Sequence, residues 1–182
     1  MNKIIITTLL LLILLINSCD SSIEPTPKTS GEITINSKVE NLKSKGFSFS
    51  QGGLIEYPNT QNIKPDFLLL VHMTIEEPIA GVFLSPPNNQ PTFRLLIQLE
   101  AADSANKYFS ELSEVPDTIY DWLALPLKEN QIWAVKTQDN KYAKILILNT
   151  KAYMDSSIQS SPTPYGEATF KWNYQPNGSR NF

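Results

Sequence analysis

The chain has 182 residues, 41% hydrophobic and 18% charged, which is enough for one ordinary hydrophobic core but short for two domains. A formal net charge of -3, without a dense cluster of Lys and Arg, argues against a nucleic-acid partner. The single cysteine, Cys19, excludes an internal disulfide and a cysteine-based metal site, and seven glycines are too few to suggest a glycine-rich cofactor loop.

Residues 1–18 are predicted to be a signal peptide. A start with one positive side chain, Lys3, precedes the apolar run 4–16, which is shorter than the ~20 residues of a spanning helix. A membrane-anchor helix is the alternative interpretation. The segment 15–19, LINSC, resembles the lipobox of bacterial lipoproteins, with an aliphatic residue three positions before the cysteine and a small one directly before it. The resemblance implies cleavage before Cys19 and its acylation.

An acylated Cys19 would hold the protein on a membrane, because each buried methylene contributes ~0.8 kcal/mol and several chains anchor stably. The alternative is a free thiol, but no neighbouring group would activate it. Residues 19–31 are therefore expected to be the lipidated cysteine and a flexible tether, since this stretch is polar and contains prolines. Residues 32–182 are expected to form one domain, located in the cell envelope on the outer membrane or cell surface.

The first part of this domain has the period of β-strands. Ile33 and Ile35 alternate with polar residues, as do Phe47 and Phe49, which predicts two half-buried strands. Residues 67–75 are the most apolar run and predict a central strand that contains His72. Further strands are predicted at residues 54–57, 81–84 and 92–99.

One helix is predicted between Ala101 and Ser113. Its apolar residues recur at helical spacing, and Pro116 disfavours continuation. The next apolar stretch, residues 119–127, is ambiguous because Asp121 and Pro126 interrupt it.

Residues 131–148 predict a β-hairpin. Two β-prone runs flank Asp139-Asn140, a pair that suits a two-residue loop. Such a loop would place Trp133 opposite Leu146. Both strands are apolar on both faces away from the turn, which indicates a sheet that is covered on both sides.

The C-terminal part is predicted to contain a long loop and a final strand. Residues 149–166 are rich in Ser and Pro and are interpreted as the loop. Residues 167–174 alternate cleanly, with Ala168, Phe170, Trp172 and Tyr174 expected to face inward. The expected fold class is all-β, with mostly antiparallel sheets and one short helix.

Several segments, taken together, point to a known family. They are GFSFS at 46–50 with Gly52-Gly53, PDF at 65–67, WAVKT at 133–137, DNKYAKI at 139–145, and residues 168–177. In these segments the chain resembles the HmuY family, a group of bacterial surface lipoproteins that capture haem. The resemblance covers most of residues 32–178 but is thin between 75 and 127. It implies a HmuY-like β-sandwich and a non-enzymatic role in passing haem to an outer-membrane transporter.

Family members that bind haem supply two axial side chains, His or Met, from the middle and later parts of the domain. This sequence has one histidine, His72, so paired histidine ligation is excluded. Met73 would point away from His72, because adjacent strand residues face opposite sides. His72 with Met154 is therefore the candidate haem-ligand pair. The simpler interpretation of each residue is structural: a hydrogen-bonded strand histidine and an apolar residue that holds a loop.

Other side chains are weaker candidates. An aromatic groove is conceivable, although core packing is the simpler interpretation for its residues, Tyr120, Trp122, Trp133, Tyr142, Trp172 and Tyr174. The acidic residues are interpreted as solvated surface, and so are Lys136, Lys141 and Lys144 near the hairpin turn. With one histidine and no H-E-x-x-H motif, no enzyme is predicted.

Two functions remain at this point. The first is a lipid-anchored envelope protein that captures haem and transfers it. The alternative is a structural or interaction lipoprotein that keeps the scaffold and binds no haem, which the missing axial pair favours.

Overall fold

The computed structural model describes residues 28–157 and 161–182, and there the chain forms two antiparallel β-sheets and one short helix. The all-β prediction is thereby confirmed. The predicted signal peptide and Cys19 lie outside the described residues. Among those described, no helix has both the length and the apolar character that crossing a bilayer requires.

In chain order the strands are β1 (Ser30–Asn36), β2 (Val39–Glu40), β3 (Lys43–Ser48), β4 (Gly53–Tyr57), β5 (Phe67–His72), β6 (Gly81–Ser85), β7 (Phe93–Gln98), β8 (Gln131–Lys136), β9 (Tyr142–Asp155) and β10 (Thr163–Gln175). The helix α1 (Ala102–Glu111) follows β7. Sheet 1 has the order β1-β10-β9-β8-β7, and sheet 2 has the order β2-β3-β5-β6 with β4 paired to β3. Strand β1 begins at Ser30, so the end of the predicted tether belongs to the folded body.

The inner faces of the two sheets meet in an aromatic core. The Phe47 ring of sheet 2 lies 5.2 Å from the rings of Phe170 and Trp172 of sheet 1, and 5.5 Å from Phe67. Edge-to-face and offset contacts of this kind add to the gain from burying the rings. The four inward residues predicted for the last strand are all buried, which confirms its alternation.

The outer face of sheet 1 is covered by α1. Ala105 of the helix packs with Ile132 and Leu146, which point away from the main core. Strands β8 and β9 are therefore buried on both faces, as their two-sided apolar pattern predicts. Sheet 2 has no helix on its outer face among the described residues.

The predicted register of the hairpin is wrong by one residue. Trp133 pairs with Ile145, and Lys136 pairs with Tyr142. The loop is longer than predicted, because Asn140 N–H donates to the Thr137 carbonyl at 3.0 Å and Thr137 N–H donates to the Lys141 carbonyl at 2.9 Å. Only Asn140 of the predicted pair has a positive φ, 56°, as in a three-residue loop that ends in a left-handed residue.

Two further predictions about strand ends are wrong. Most of the predicted loop 149–166 is strand, since β9 continues to Asp155 and β10 begins at Thr163. The Ser residues of this stretch all lie between the two strands in sequence, so its composition marks only the connection between Asp155 and Thr163. The predicted strand 67–75 ends earlier, at His72, because a turn follows in which Thr74 N–H donates to the Glu77 carbonyl at 2.9 Å.

Lys144 also departs from its prediction as an exposed residue. It is only 3% exposed and lies beneath α1, on the outer face of sheet 1. Its ammonium group donates to the carbonyls of Phe109 and Leu112, which are at the C-terminal end of the helix.

Candidate functional site

The sandwich has two distinguishable ends. At one, which we call the tether end, Thr29 accepts a hydrogen bond from Tyr174 N–H at 2.7 Å beside the 137–141 loop. At the other, the distal end, Ser37 N–H donates to the Gly166 carbonyl at 2.9 Å. Strand β5 runs from the tether end to the distal end, because its first residue packs on Phe170 and its later residues approach Gly166. The candidate ligands of the sequence lie at the distal end.

The two sheets approach each other closely at the distal end. A Cβ atom on Gly166 would lie 2.5 Å from Val82 Cγ1 and 3.1 Å from Val71 Cγ2. Glycine is required there because any larger side chain would collide with sheet 2. Gly166 therefore marks the inner face of β10 at the point where that face meets β5 and β6.

Met154 lies one step beyond this contact on the same inner face. Gly166 pairs with Ala152, and the next pair in the same orientation is Pro164 with Met154. Met154 is 40% exposed and belongs to β9, not to a loop as predicted. Its thioether is thus held on a strand at the distal end of the sandwich.

His72 lies on the other side of sheet 2. It follows Val71, which faces inward, and its ring stands edge-on to Phe83 with centroids 6.3 Å apart. Strand alternation puts His72, Phe83 and Leu70 on the outer face. The structure therefore does not bring His72 and Met154 together on one surface.

Met73, which its neighbour His72 excluded as a partner in the predicted ligand pair, also lies at the distal end. It is 53% exposed and directly follows the end of β5. The hydrogen bond from Ala80 N–H to the His72 carbonyl, 2.8 Å, continues the β5–β6 pairing up to this point. The alternation of β5, continued by one residue, gives Met73 the same side as Val71.

Met154, on β9 of sheet 1, and Met73, which directly follows β5 of sheet 2, therefore both lie toward the distal end. They are the only methionines besides Met1. The neighbouring residues on the inner faces, Val71, Val82 and Ala152, are apolar, and Val82 is buried in the contact between the sheets. The signal that could have identified Met73 is Glu76-Glu77-Pro78, because charge and proline oppose a strand that reaches Ile75.

The charged groups of the distal end form exposed pairs. Lys151 lies 3.3 Å from Glu167, and the Tyr165 hydroxyl donates to the other oxygen of Glu167 at 3.0 Å. Partial burial, followed by this hydrogen bond, raises the pKa of Tyr165 to about 12. Exposed ion pairs contribute little to stability, and a tyrosine with this pKa stays neutral.

Core packing, the favoured interpretation of the six aromatic residues, holds for Tyr120, Trp133, Trp172 and Tyr174, which are buried. Tyr142 is half-buried. Trp122 is 51% exposed, on the segment that runs along the edge of β6.

The outer face of sheet 2 carries the apolar side chains of Leu70 and Phe83, together with His72, in its distal half. Leu70 is 39% exposed and pairs with Phe83. Leu125 lies beside them, because Ala124 bridges to Leu84 of β6. Exposed apolar surfaces of this kind are found at interaction sites.

The part of the chain that the structure describes has no cluster of three or more His, Cys, Asp or Glu side chains that could hold a metal ion. Comparison with protein-family models, curated proteins and solved structures found no match to this chain.

Proposed function

We propose that this protein is a lipid-anchored bacterial envelope protein that captures haem at its distal end and passes it to an outer-membrane transporter, without catalysing a reaction. The lipobox-like segment before Cys19 and the scaffold segments resembling the HmuY family support this proposal. The placement of Met73 and Met154 carries it further, because it supplies a pair of thioethers where the sequence had offered no pair on one surface.

The geometry suits a flat, apolar ligand with a central iron. Methionine sulfur is one of the axial ligands that proteins use to hold haem. Met154 belongs to β9 of sheet 1, and Met73 directly follows β5 of sheet 2. Val71, Val82 and Ala152, on the inner faces beside them, are aliphatic. A macrocycle would have to bind beyond the Gly166 contact, across the distal end, to reach both thioethers.

The distal end is also well placed for transfer. The chain joins the body at Lys28 and Thr29, at the opposite end of the sandwich. A protein held by acyl chains on Cys19 would therefore present Met73 and Met154 away from its own attachment point.

A titration of haem into the domain of residues 28–182 tests the ligands. We expect a saturable change in the absorption spectrum that is weakened at least about tenfold by Met73→Leu or Met154→Leu, a change of about 1.4 kcal/mol. Leucine keeps the volume and removes the sulfur. His72→Ala is the matched control and should bind haem normally. A free-haem spectrum, or binding that depends on His72 alone, would overturn the proposed site.

The anchor is tested separately. Cys19→Ser should abolish the incorporation of a labelled fatty acid into the protein, because the acylated residue is lost. Labelling that survives this substitution would contradict the lipoprotein assignment.

The second candidate function is an interaction lipoprotein that binds no haem. The uncovered apolar face around Leu70, Phe83 and Leu125 favours it. A photocrosslinking residue at position 70 in intact envelopes should then yield a discrete adduct, whereas one at exposed Thr60 should not. This function would replace the first if that adduct forms while added haem keeps the absorption spectrum of free haem.

A further inference from the structure

Strand β1 is a free edge of sheet 1. Its seven residues, Ser30–Asn36, pair with β10 in an unbroken antiparallel register. On its other side, no strand of the described part of the chain pairs with it. The side chains of Glu32 and Thr34 are exposed, so solvent reaches this edge.

The backbone groups on the free side belong to alternate residues of β1. Before the strand, Tyr174 N–H donates to the Thr29 carbonyl, and after it, Ser37 N–H donates to the Gly166 carbonyl. The odd-numbered residues therefore bond to β10, because successive residues of an antiparallel strand direct their N–H and C=O groups to opposite sides. The groups directed away from β10, which have no backbone partner within the described residues, are those of Ser30, Glu32, Thr34 and Asn36.

The edge strands β6 and β7 are protected, whereas β1 is not. At β7 the register shifts between Leu95 and Ile97, which marks a bulge. At β6, Leu84 N–H donates to the carbonyl of Ala124 at 3.3 Å, so another segment covers that edge. Bulges, covering segments, lysines and prolines are the means by which proteins prevent pairing between edges. The sequence of β1, SGEITIN, contains neither Lys nor Pro, and its register has no bulge. Such an edge is a template for another strand.

We propose that β1 pairs antiparallel with β1 of a second copy of this chain, about a two-fold axis at Ile33, so that the two copies of sheet 1 form one continuous sheet. This arrangement places Ser30 opposite Asn36 of the second copy, and Glu32 opposite Thr34 of the second copy. Each such pair exchanges both of its backbone hydrogen bonds, so every outward group of the edge gains a partner. The edge is thus complementary to itself, as a two-fold interface requires.

Charge and ladder length select this register. An axis at Glu32 would leave Asn36 unpaired and would set Glu32 against itself, and like charges directly opposite each other are destabilising. An axis at Thr34 would leave Ser30 unpaired. The axis at Ile33 gives the longest ladder and opposes no like charges.

The proposed interface is separate from the haem site. It uses neither Met73 nor Met154, and antiparallel pairing places the two chain starts at opposite ends of the ladder. Ile33, which is half-buried at the margin of the core, would face Ile33 of the second copy and bury its remaining exposed surface. A contact through one strand of each copy is small, so we expect a dimer that depends on concentration, with a Kd in the micromolar range.

Disulfide cross-linking of the full chain in detergent tests the register. Cys19→Ser is included, so that the introduced cysteine is the only one. Ile33→Cys should form a disulfide-linked dimer, because opposite residues of a pair without hydrogen bonds have Cα atoms about 4.5 Å apart, which a disulfide can bridge. Ser30→Cys is the matched control. It lies opposite Asn36 of the second copy, and should give at least about tenfold less dimer under the same oxidation because its own counterpart is out of reach.

Two charge variants test the same register without a cross-link, by analytical ultracentrifugation in density-matched detergent. Thr34→Glu should raise the Kd of the dimer at least about threefold, because each new carboxylate lies opposite Glu32 of the other copy. Thr34→Lys is the matched variant, since it removes the same hydroxyl, and it should lower the Kd because it places an ammonium group opposite Glu32. Adding Glu32→Lys to Thr34→Glu should restore the dimer.

Three results would overturn the proposed pairing. The first is a chain that stays monomeric at every concentration, which would leave the edge of β1 to an extended segment of a different protein. The second is equal cross-linking of Ser30→Cys and Ile33→Cys. The third is the same change in Kd for Thr34→Glu and Thr34→Lys.

Discussion

The ammonium nitrogen of Lys144 lies 2.6 Å from the carbonyl oxygen of Leu112, and 2.8 Å from that of Phe109. It also sits 5.0 Å from the ring centres of Phe109 and Phe182. The last carbonyls of a helix have no partner within the helix and carry partial negative charge. Lys144 supplies that partner from β9 and so fastens α1 to sheet 1, while burial lowers its own pKa.

Replacing Lys144 with Met should therefore destabilise the fold. The variant keeps an apolar stem but leaves both helix carbonyls without the charged donor, which costs about 2 kcal/mol of unfolding free energy. Urea denaturation measures the loss. Lys107→Met is the control, since Lys107 lies on the exposed side of the same helix, 4.0 Å from Glu111, and should change stability by less than about 0.5 kcal/mol. If both variants lose the same free energy of unfolding, the hydrogen bonds from Lys144 to the helix carbonyls make no specific contribution to stability.

The buried carboxyl of Asp66 should make stability depend on pH. Its pKa is about 6 in the folded protein and 3.8 in a free side chain, because burial disfavours the charged form. Between these two pH values the folded state binds more protons than the unfolded state does. The contribution of Asp66 to stability therefore falls as the pH rises from 3.8 to about 6. Asp66→Asn should remove this dependence.

The measurement is the difference in unfolding free energy between the wild-type protein and Asp66→Asn. The free energy of unfolding of the wild type minus that of the variant should be about 2 kcal/mol larger at about pH 4.5 than at about pH 7.5. A difference that is the same at both pH values would show that Asp66 ionises with an ordinary pKa.

Gly166→Ala should disturb the contact between the sheets. The added methyl would lie 2.5 Å from Val82 Cγ1, so the strands must separate, at a cost of about 1–3 kcal/mol. Gly53→Ala is the control, because a Cβ atom at Gly53 meets nothing within 4 Å. Thermal unfolding of both variants tests this. A Gly166→Ala protein as stable as Gly53→Ala would contradict the close approach at the distal end.

The conformation of the three-residue loop leads to a separate prediction about Asn140. Asn140 has a φ of 56°, and asparagine tolerates this region better than alanine does. Asn140→Ala should cost about 1 kcal/mol of unfolding free energy, whereas Asp139→Ala, with ordinary φ, should cost less than about half of that. A two-residue loop with both residues left-handed would make the two losses similar, and chemical denaturation distinguishes these outcomes.

Short-range patterns predicted much of the fold. The alternation of residues 167–174 identified the inward face of β10, and the helical spacing after Ala101 located α1 within one or two residues of its ends. Each of these signals depends on neighbours along the chain, which the sequence contains directly. The hairpin was found for the same reason, but its register depended on the conformation of Asn140.

The candidate site was predicted only in part. Met154 was identified as a thioether of interest, but its supposed loop is a strand, and Met73 was set aside because it was compared only with its neighbour His72. What relates Met73 to Met154 is the contact of Gly166 with Val71 and Val82, which joins residues that are distant in sequence.

By itself, the sequence determined the all-β class, the helix, the central hairpin and the inward face of the last strand, since these follow from local periodicity. Only the tertiary structure decided that Lys144 is buried under α1, that β9 continues to Asp155 and β10 begins at Thr163, and that the two methionines lie toward the same end. Alternation tells which side of a strand is covered but not what covers it. That choice depends on how distant strands pair and on where the two sheets come close enough to require a glycine.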